Sequence, residues 1–295
     1  MKKLLFSLYV AVLLSLTFSS CELFDQDEAI PGFIQINSVS ITGSLGSNTS
    51  CFNNKIENVE VFVNNETIGV YPVGAKIPVF QFGESEFEVF CLVPKSGSSR
   101  QLEAHAFLNT ISFTESVVEG EVTELDLSTS YQASTVVHFE EYFETTANKF
   151  SRDLDDFDTT TIRNVVDDFC DNNSVGEIIL YKDYPVMIQS PSDLFNFQLP
   201  NFGPAYIEFD YLTDVELVFS FSSITSTDVQ FDNVYSVNPK DEWNRIYVNL
   251  DDYLLLNDVN TSQLVIGAIL PLLDENGDST LIGKAYIDNL RVISY

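Results

Sequence analysis

Apolar side chains recur with a period of two along most of the chain beyond Phe33. Val59, Val61 and Val63 alternate with Asn58, Glu60 and Phe62, and Phe87, Val89, Cys91 and Val93 alternate with Glu86 and Glu88. Successive side chains of a strand point to opposite faces, so each run predicts a strand with one buried face. Asn64-Asn65-Glu66-Thr67 has turn chemistry, and Ile68 and Val70 return as the hairpin partner. Lys95 to Ser99 reads as a loop, and Val117 to Val122 as two short strands bracketing Gly120. Short strands at about ten-residue spacing predict a β-sandwich over 31–131.

From Ser134 the strands lengthen. Ile207, Phe209 and Tyr211 alternate with Glu208 and Asp210, and Val215, Leu217, Phe219 and Phe221 with Glu216, Ser220 and Ser222. Leu264 to Leu273 is almost continuously apolar, as a central strand covered on both sides requires. Asn276-Gly277 supplies a hairpin turn. In Tyr286-Ile287-Asp288-Asn289-Leu290-Arg291-Val292 the alternation breaks at Asp288-Asn289, which predicts a bulge. Between Asp155 and Asp171, Ile162, Val165, Val166 and Phe169 have helical spacing but are mostly β-branched, so a loop or short helix is expected. These runs predict a second sandwich over 132–295, an all-β chain and no long helix.

The first residues differ in kind. Lys2 and Lys3 precede an apolar run from Leu4 to Leu16, then Ser19, Ser20 and Cys21, then the acidic Glu22 to Glu28. About 13 apolar residues suit an export signal and fall short of the ~20 that span a bilayer. The stretch resembles a bacterial lipoprotein signal over 1–20, cleaved before a lipidated Cys21; an ordinary secretory signal would leave that thiol free. Two or more acyl chains would anchor the protein lastingly to the membrane. The acidic stretch, a tether over 21–30, is similar to the surface-export signal of Bacteroidota lipoproteins and implies an outer-membrane protein facing the exterior.

The first sandwich resembles the immunoglobulin-like or transthyretin-like modules of such lipoproteins through Ile30 to Ile34, Val59 to Gly69 and Ile77-Pro78-Val79. The second resembles the jelly rolls of carbohydrate-binding modules through Phe139 to Glu144, Trp243 to Leu250 and Tyr286 to Val292. That resemblance implies a structural calcium held by Glu140, Glu141 or Glu144 with Asp288. The alternative is that Asp288 and Asn289 only bond to backbone at the bulge. Asp274 to Asp278 begins like a calcium loop, but Ser279 and Ala285 stand where that motif needs glycine and glutamate, so a hairpin turn is expected.

Charge narrows the partners. The chain has 14 Lys and Arg against 44 Asp and Glu, a formal net charge of −30. That field repels nucleic acid and anionic lipid. Three cysteines follow Cys21, and outside the cytosol a Cys51–Cys91 disulfide is plausible, leaving Cys170 odd. His105 and His138 fall in different sandwiches and read as structural; no nucleophile or phosphate-loop motif occurs, so no catalysis is expected. Tyr184, Tyr211, Tyr235, Tyr253 and Trp243 are candidates for stacking on sugar rings, with a core position the simpler reading of Trp243. The expectation is a lipid-anchored surface protein that binds polysaccharide or, alternatively, a structural subunit docked on an outer-membrane protein.

Overall fold

The structure, a computed structural model, describes residues 29–43, 45, 55–155, 159–167, 173–200, 203–224, 229–256, 262–273 and 280–295. The export signal, Cys21, Cys51, Cys170 and the Asn276-Gly277 turn lie outside the described residues.

The chain is all-β apart from one short α-helix and one 3-10 turn among the described residues. Its N-terminal half comprises β1 (Gly32–Thr42), β2 (Asn58–Val63), β3 (Glu66–Pro72), β4 (Lys76–Val79), β5 (Gly83–Lys95), β6 (Ser98–Ala104), β7 (Ile111–Val117) and β8 (Val122–Ser130). One sheet runs β4-β1-β8; the facing sheet runs β3-β2-β5-β6, with β7 also on β5. The alternation read in the sequence holds: Val59, Val61, Val63, Val89 and Val93 are fully buried against Ile34, Ile36 and Ile77. Asn64 and Asn65 have φ of 49° and 67°, so the β2–β3 turn needs only two residues. Asparagine tolerates that left-handed backbone, which matches the strand twist. β1 and β8 pair in parallel from Phe33↔Val122 to Thr42↔Ser130. Cys91 faces this core as a buried thiol, free among the described residues, and Cys51, the other half of the expected bridge, lies outside them. Its inward alternation with Val89 and Val93 puts it among apolar side chains, and burial raises its pKa to about 11.

The C-terminal half comprises β9 (Val136–Glu141), β10 (Phe150–Asp153), β11 (Arg163–Asp167), β12 (Asn173–Tyr181), β13 (Val186–Pro191), β14 (Ala205–Thr213), β15 (Glu216–Ile224), β16 (Val229–Val237), β17 (Lys240–Asn249), α1 (Asp251–Leu256), β18 (Ser262–Ile269) and β19 (Ile282–Ser294). One sheet runs β11-β12-β19-β14-β17 with β9 on β19, and the other β10-β13-β18-β15-β16. Successive strands cross repeatedly between the sheets, the wrapped course of a jelly roll. Phe209, Phe219, Phe221, Leu264, Ile266, Ile287 and Leu290 fill the space between them. β18 is central, between β13 and β15. The bulge falls at Asp288-Asn289, where the register slips and Asn289 has φ of 49°.

Two local expectations change. Arg163 to Asp167 is neither loop nor helix but an edge strand paired to β12. Its β-branched Val165 and Val166 fit a pleated surface, and tertiary pairing overrides the helical spacing. Conversely α1 follows β17 without a long amphipathic signal: the Asn249 side chain accepts from the Asp251 N–H at 2.8 Å, and Asp251 and Asp252 lie in its first turn.

Candidate functional site

The outer face of the β11-β12-β19-β14-β17 sheet carries cross-strand rows with opposite fates. Tyr206 on β14 lies between Ile293 on β19 and Asn249 on β17. The next row joins Arg291, Glu208 and Tyr247, and the next Asp288, Asp210 and Arg245. Alternation correctly turns Glu208 and Asp210 away from the jelly-roll core, yet both are 0% exposed. The N-terminal sandwich covers them.

Glu208 gathers donors from both halves of the chain. Its carboxylate accepts from Arg291 Nε at 2.6 Å, Tyr131 Oη at 2.8 Å and Arg245 Nη2 at 3.4 Å. The His105 Nε2 stands 3.0 Å from it. His105 Nδ1 accepts from the Phe107 N–H at 3.3 Å, so Nε2 carries the proton and donates. Asp210 accepts from Arg245 Nη1 at 3.0 Å and Asn289 Nδ2 at 2.8 Å. The Asp210 Oδ1 is buried without a hydrogen bond among the described residues. Burial alone would raise the Glu208 carboxyl; Arg291, then His105 and Arg245, outweigh it and hold Glu208 well below the usual carboxylate range. For Asp210 burial wins over Arg245 and Asn289, and its pKa is raised. Charge is nearly balanced inside the cluster, and its side chains are buried. This is a joint between sandwiches, with no exposed acid–base pair.

Other polar contacts complete the joint. Glu103 accepts from Tyr206 Oη at 3.0 Å and from Asn249 Nδ2 at 3.1 Å. Lys55 Nζ donates to Asn244 Oδ1 at 2.9 Å. The β5–β6 hairpin tip is pressed against the jelly roll: the Asn249 N–H donates to Ser96 Oγ at 3.1 Å, and Tyr235 Oη donates to the Ser96 carbonyl. A Cβ on Gly97, which has φ of +73°, would meet Ile246 Cδ1 at 2.8 Å.

Beyond the joint the same sheet face opens. Arg163 pairs with Glu177, Glu177 with Tyr286, and Tyr286 with Leu212. Trp243 shares that side, because its neighbour Asn244 pairs with inward-facing Tyr211. Arg163 is exposed; Glu177, Tyr286, Leu212 and Trp243 are half-buried. The Trp243 and Tyr286 rings lie 6.4 Å apart, tilted by 50°. Five positions on five adjacent strands span roughly 19 Å at the usual strand spacing. The row is a shallow platform with two aromatic rings, one cation and one carboxylate.

The predicted ligand residues scatter. Trp243 belongs to the platform and not to the core, because its strand parity is opposite to that of Ile246 and Val248. Tyr211 is 4% exposed inside the jelly-roll core, turned inward with Ile207 and Phe209, and is out of a ligand's reach. Tyr235 is committed to the joint. Tyr253 lies 5.3 Å from the Phe221 ring. Tyr184 is exposed on the β12–β13 turn, three residues past the end of β12 and outside the cross-strand row. Tyr286 was present only as a fold marker in the sequence; its cross-strand place beside Trp243 depends on register.

The carboxylates proposed for calcium are engaged in hydrogen bonds. Glu140 Oε2 accepts from Tyr142 Oη at 3.0 Å, and Glu144 accepts from the Ser174 N–H at 3.3 Å. Both Asp288 oxygens face Asn289, accepting from its N–H at 2.7 Å and its Nδ2 at 3.2 Å. Glu141 caps the following turn, accepting from the Phe143 and Lys149 N–H groups at 2.8 and 2.7 Å. Among the described residues no three His, Cys, Asp or Glu side chains are placed to hold a metal. His138 stands 2.7 Å from Ser294 Oγ, and burial lowers its pKa.

No family model matches the chain, and no curated protein matches it. Among solved structures it is similar to the xylan-binding domain CBM22-2 of Paenibacillus barcinonensis Xyn10C: 13% identity, TM-score 0.35, covering 54% of this chain and 99% of that one. It is also similar to a CBM29-2 variant complexed with mannohexaose, at 10% identity and TM-score 0.34, covering 55% of this chain and 92% of that one. A third is TmCBM61 in complex with β-1,4-galactotriose, at 14% identity and TM-score 0.32, covering 52% and 94%. Likenesses this distant carry no argument about what the chain binds.

Proposed function

We propose that the chain is a non-catalytic, polysaccharide-binding lipoprotein, held at the bacterial outer surface by lipid on Cys21. The observation that supports binding is the Trp243–Tyr286 ring pair on the open part of the sheet face, flanked by Arg163 and Glu177. Flat aromatic faces stack on the apolar faces of sugar rings, and charged neighbours bond their hydroxyls. A length of roughly 19 Å accommodates several sugars of an extended chain. The net charge of −30 favours a neutral glycan over a polyanion. The acidic centre of the molecule is sealed and neutralised, so it serves cohesion and not bond cleavage.

The test is a glycan array on the full mature chain, followed by titration calorimetry. Trp243→Ala and Tyr286→Ala should each weaken the best glycan at least tenfold with the fold intact by circular dichroism. Failure to bind any glycan, or affinity indifferent to both substitutions, overturns the reading.

One observation favours the second reading, a structural subunit of an envelope complex. Leu272, Leu273, Leu281 and Ile282 are 76%, 57%, 64% and 52% exposed at the end of the jelly roll farthest from the joint. Co-purification of an outer-membrane protein, lost on Leu272→Ser with Leu273→Ser, would decide for it.

A further inference from the structure

The end of the N-terminal sandwich where the chain enters carries its own exposed apolar cluster. Ile30 is 56% exposed, Phe80 57%, Phe82 49%, Val118 48% and Val122 38%. Backbone pairing brings them together. Gly32 pairs with Val79, immediately before Phe80, and Gly83, immediately after Phe82, pairs with Val117. The Gly120 N–H donates to the Pro31 carbonyl at 3.1 Å, and Phe33 pairs with Val122. Three chain segments therefore meet at one pole with their apolar side chains outward. Such a cluster marks a contact surface.

Its place in the molecule identifies the contact. β1, β5 and β8 all start at this pole and run toward the joint with the jelly roll, and the 13 residues of β5 cover roughly 40 Å. The pole is thus the end opposite the joint. Cys21 precedes Ile30 by nine residues, a reach of at most about 32 Å. A protein anchored at Cys21 enters its fold at this pole, which therefore lies nearer the bilayer than the joint end does. We infer that the Ile30, Phe80, Phe82, Val118 and Val122 pole rests on a lipid surface and seats its two phenylalanines among the headgroups. Exposed Glu84, Glu119 and Glu121 rim the cluster, so the surface it fits is zwitterionic, not anionic. The orientation argument rests on the proposed lipid at Cys21; the apolar pole itself does not.

The experiment uses the unacylated mature chain, residues 21–295 with Cys21→Ser, in flotation with phosphatidylcholine vesicles. It should float weakly, and Phe80→Ser with Phe82→Ser should reduce the floated fraction at least fivefold; circular dichroism should be unchanged, since both side chains already face solvent. Adding phosphatidylglycerol should weaken flotation. Leu272→Ser with Leu273→Ser, at the far end, should leave it unchanged. The inference is overturned by no flotation, by flotation indifferent to the phenylalanine pair, or by flotation lost through the leucine pair. It is equally overturned if the pole instead pairs two copies, seen as a dimer in sedimentation that the phenylalanine pair abolishes. Fatty-acid labelling of Cys21 in the native host tests the anchor separately: flotation without labelling sinks the anchor and leaves the pole.

Discussion

Replacing Glu208 by Gln keeps the side chain's shape and removes the negative charge at the centre of the joint. Arg291 and Arg245 are both within 2% of full burial; Arg291 then loses its ion pair, while Arg245 keeps Asp210. An ion pair broken on one side in the interior costs about 3–5 kcal/mol, because the surviving charge stays buried. For a chain of this size each kcal/mol lowers the melting temperature by about 2–4 °C, so a fall of about 10 °C is expected. His105 and Tyr131 belong to the N-terminal sandwich, so the loss also uncouples the halves. Calorimetry should show one transition for the native chain and two for Glu208→Gln. The pH dependence has a fixed sign. The folded pKa of Glu208 is depressed, so its stabilisation is complete above the unfolded carboxylate value of about 4.3 and is lost as pH falls below it. Asp210, with a raised pKa, contributes in the opposite sense: its share is present at low pH and lost as pH rises. The acid limb of a stability–pH curve should therefore flatten in Glu208→Gln. A melting temperature within 2 °C of native, roughly 1 kcal/mol or less, or an unchanged acid limb would refute the assignment of Glu208 as the centre of the joint.

Gly97→Ala places a side chain at φ of +73° and against Ile246 at the hairpin tip, and should cost about 1–2 kcal/mol, read as a lower urea midpoint with an unchanged slope. Cys91, 4% exposed with a pKa raised to about 11, should resist iodoacetamide at pH 8 in the folded chain and react once urea unfolds it.

Strand periodicity was legible because each sandwich buries one face of each strand: Val59 to Val63 and Ile207 to Tyr211 lie where alternation predicts. What alternation cannot tell is what covers the other face. Alternation places Glu208 and Asp210 opposite the apolar face, and they are nevertheless among the most deeply buried groups of the described residues. One signal was available: Arg245 and Arg291 are mid-strand cations in a chain with only 14 basic residues, and Arg291 stands between Leu290 and Val292. The pairing that brings them to Glu208 joins residues dozens of positions apart, and only register supplies it. Register likewise separates Trp243, which is on the platform, from Tyr211, which is in the core.

The parallel pairing of β1 with β8 has a mechanical consequence. Tension applied between the tether and anything gripped by the jelly roll enters at Gly32 and leaves past Ser130, the opposite ends of two strands lying side by side. The load is then shear along the whole ladder, so its hydrogen bonds must yield together and cannot unzip one by one. Under the proposed anchoring and binding, a pull between cell and glycan would stretch this pair lengthwise, the direction in which a sheet is hardest to tear.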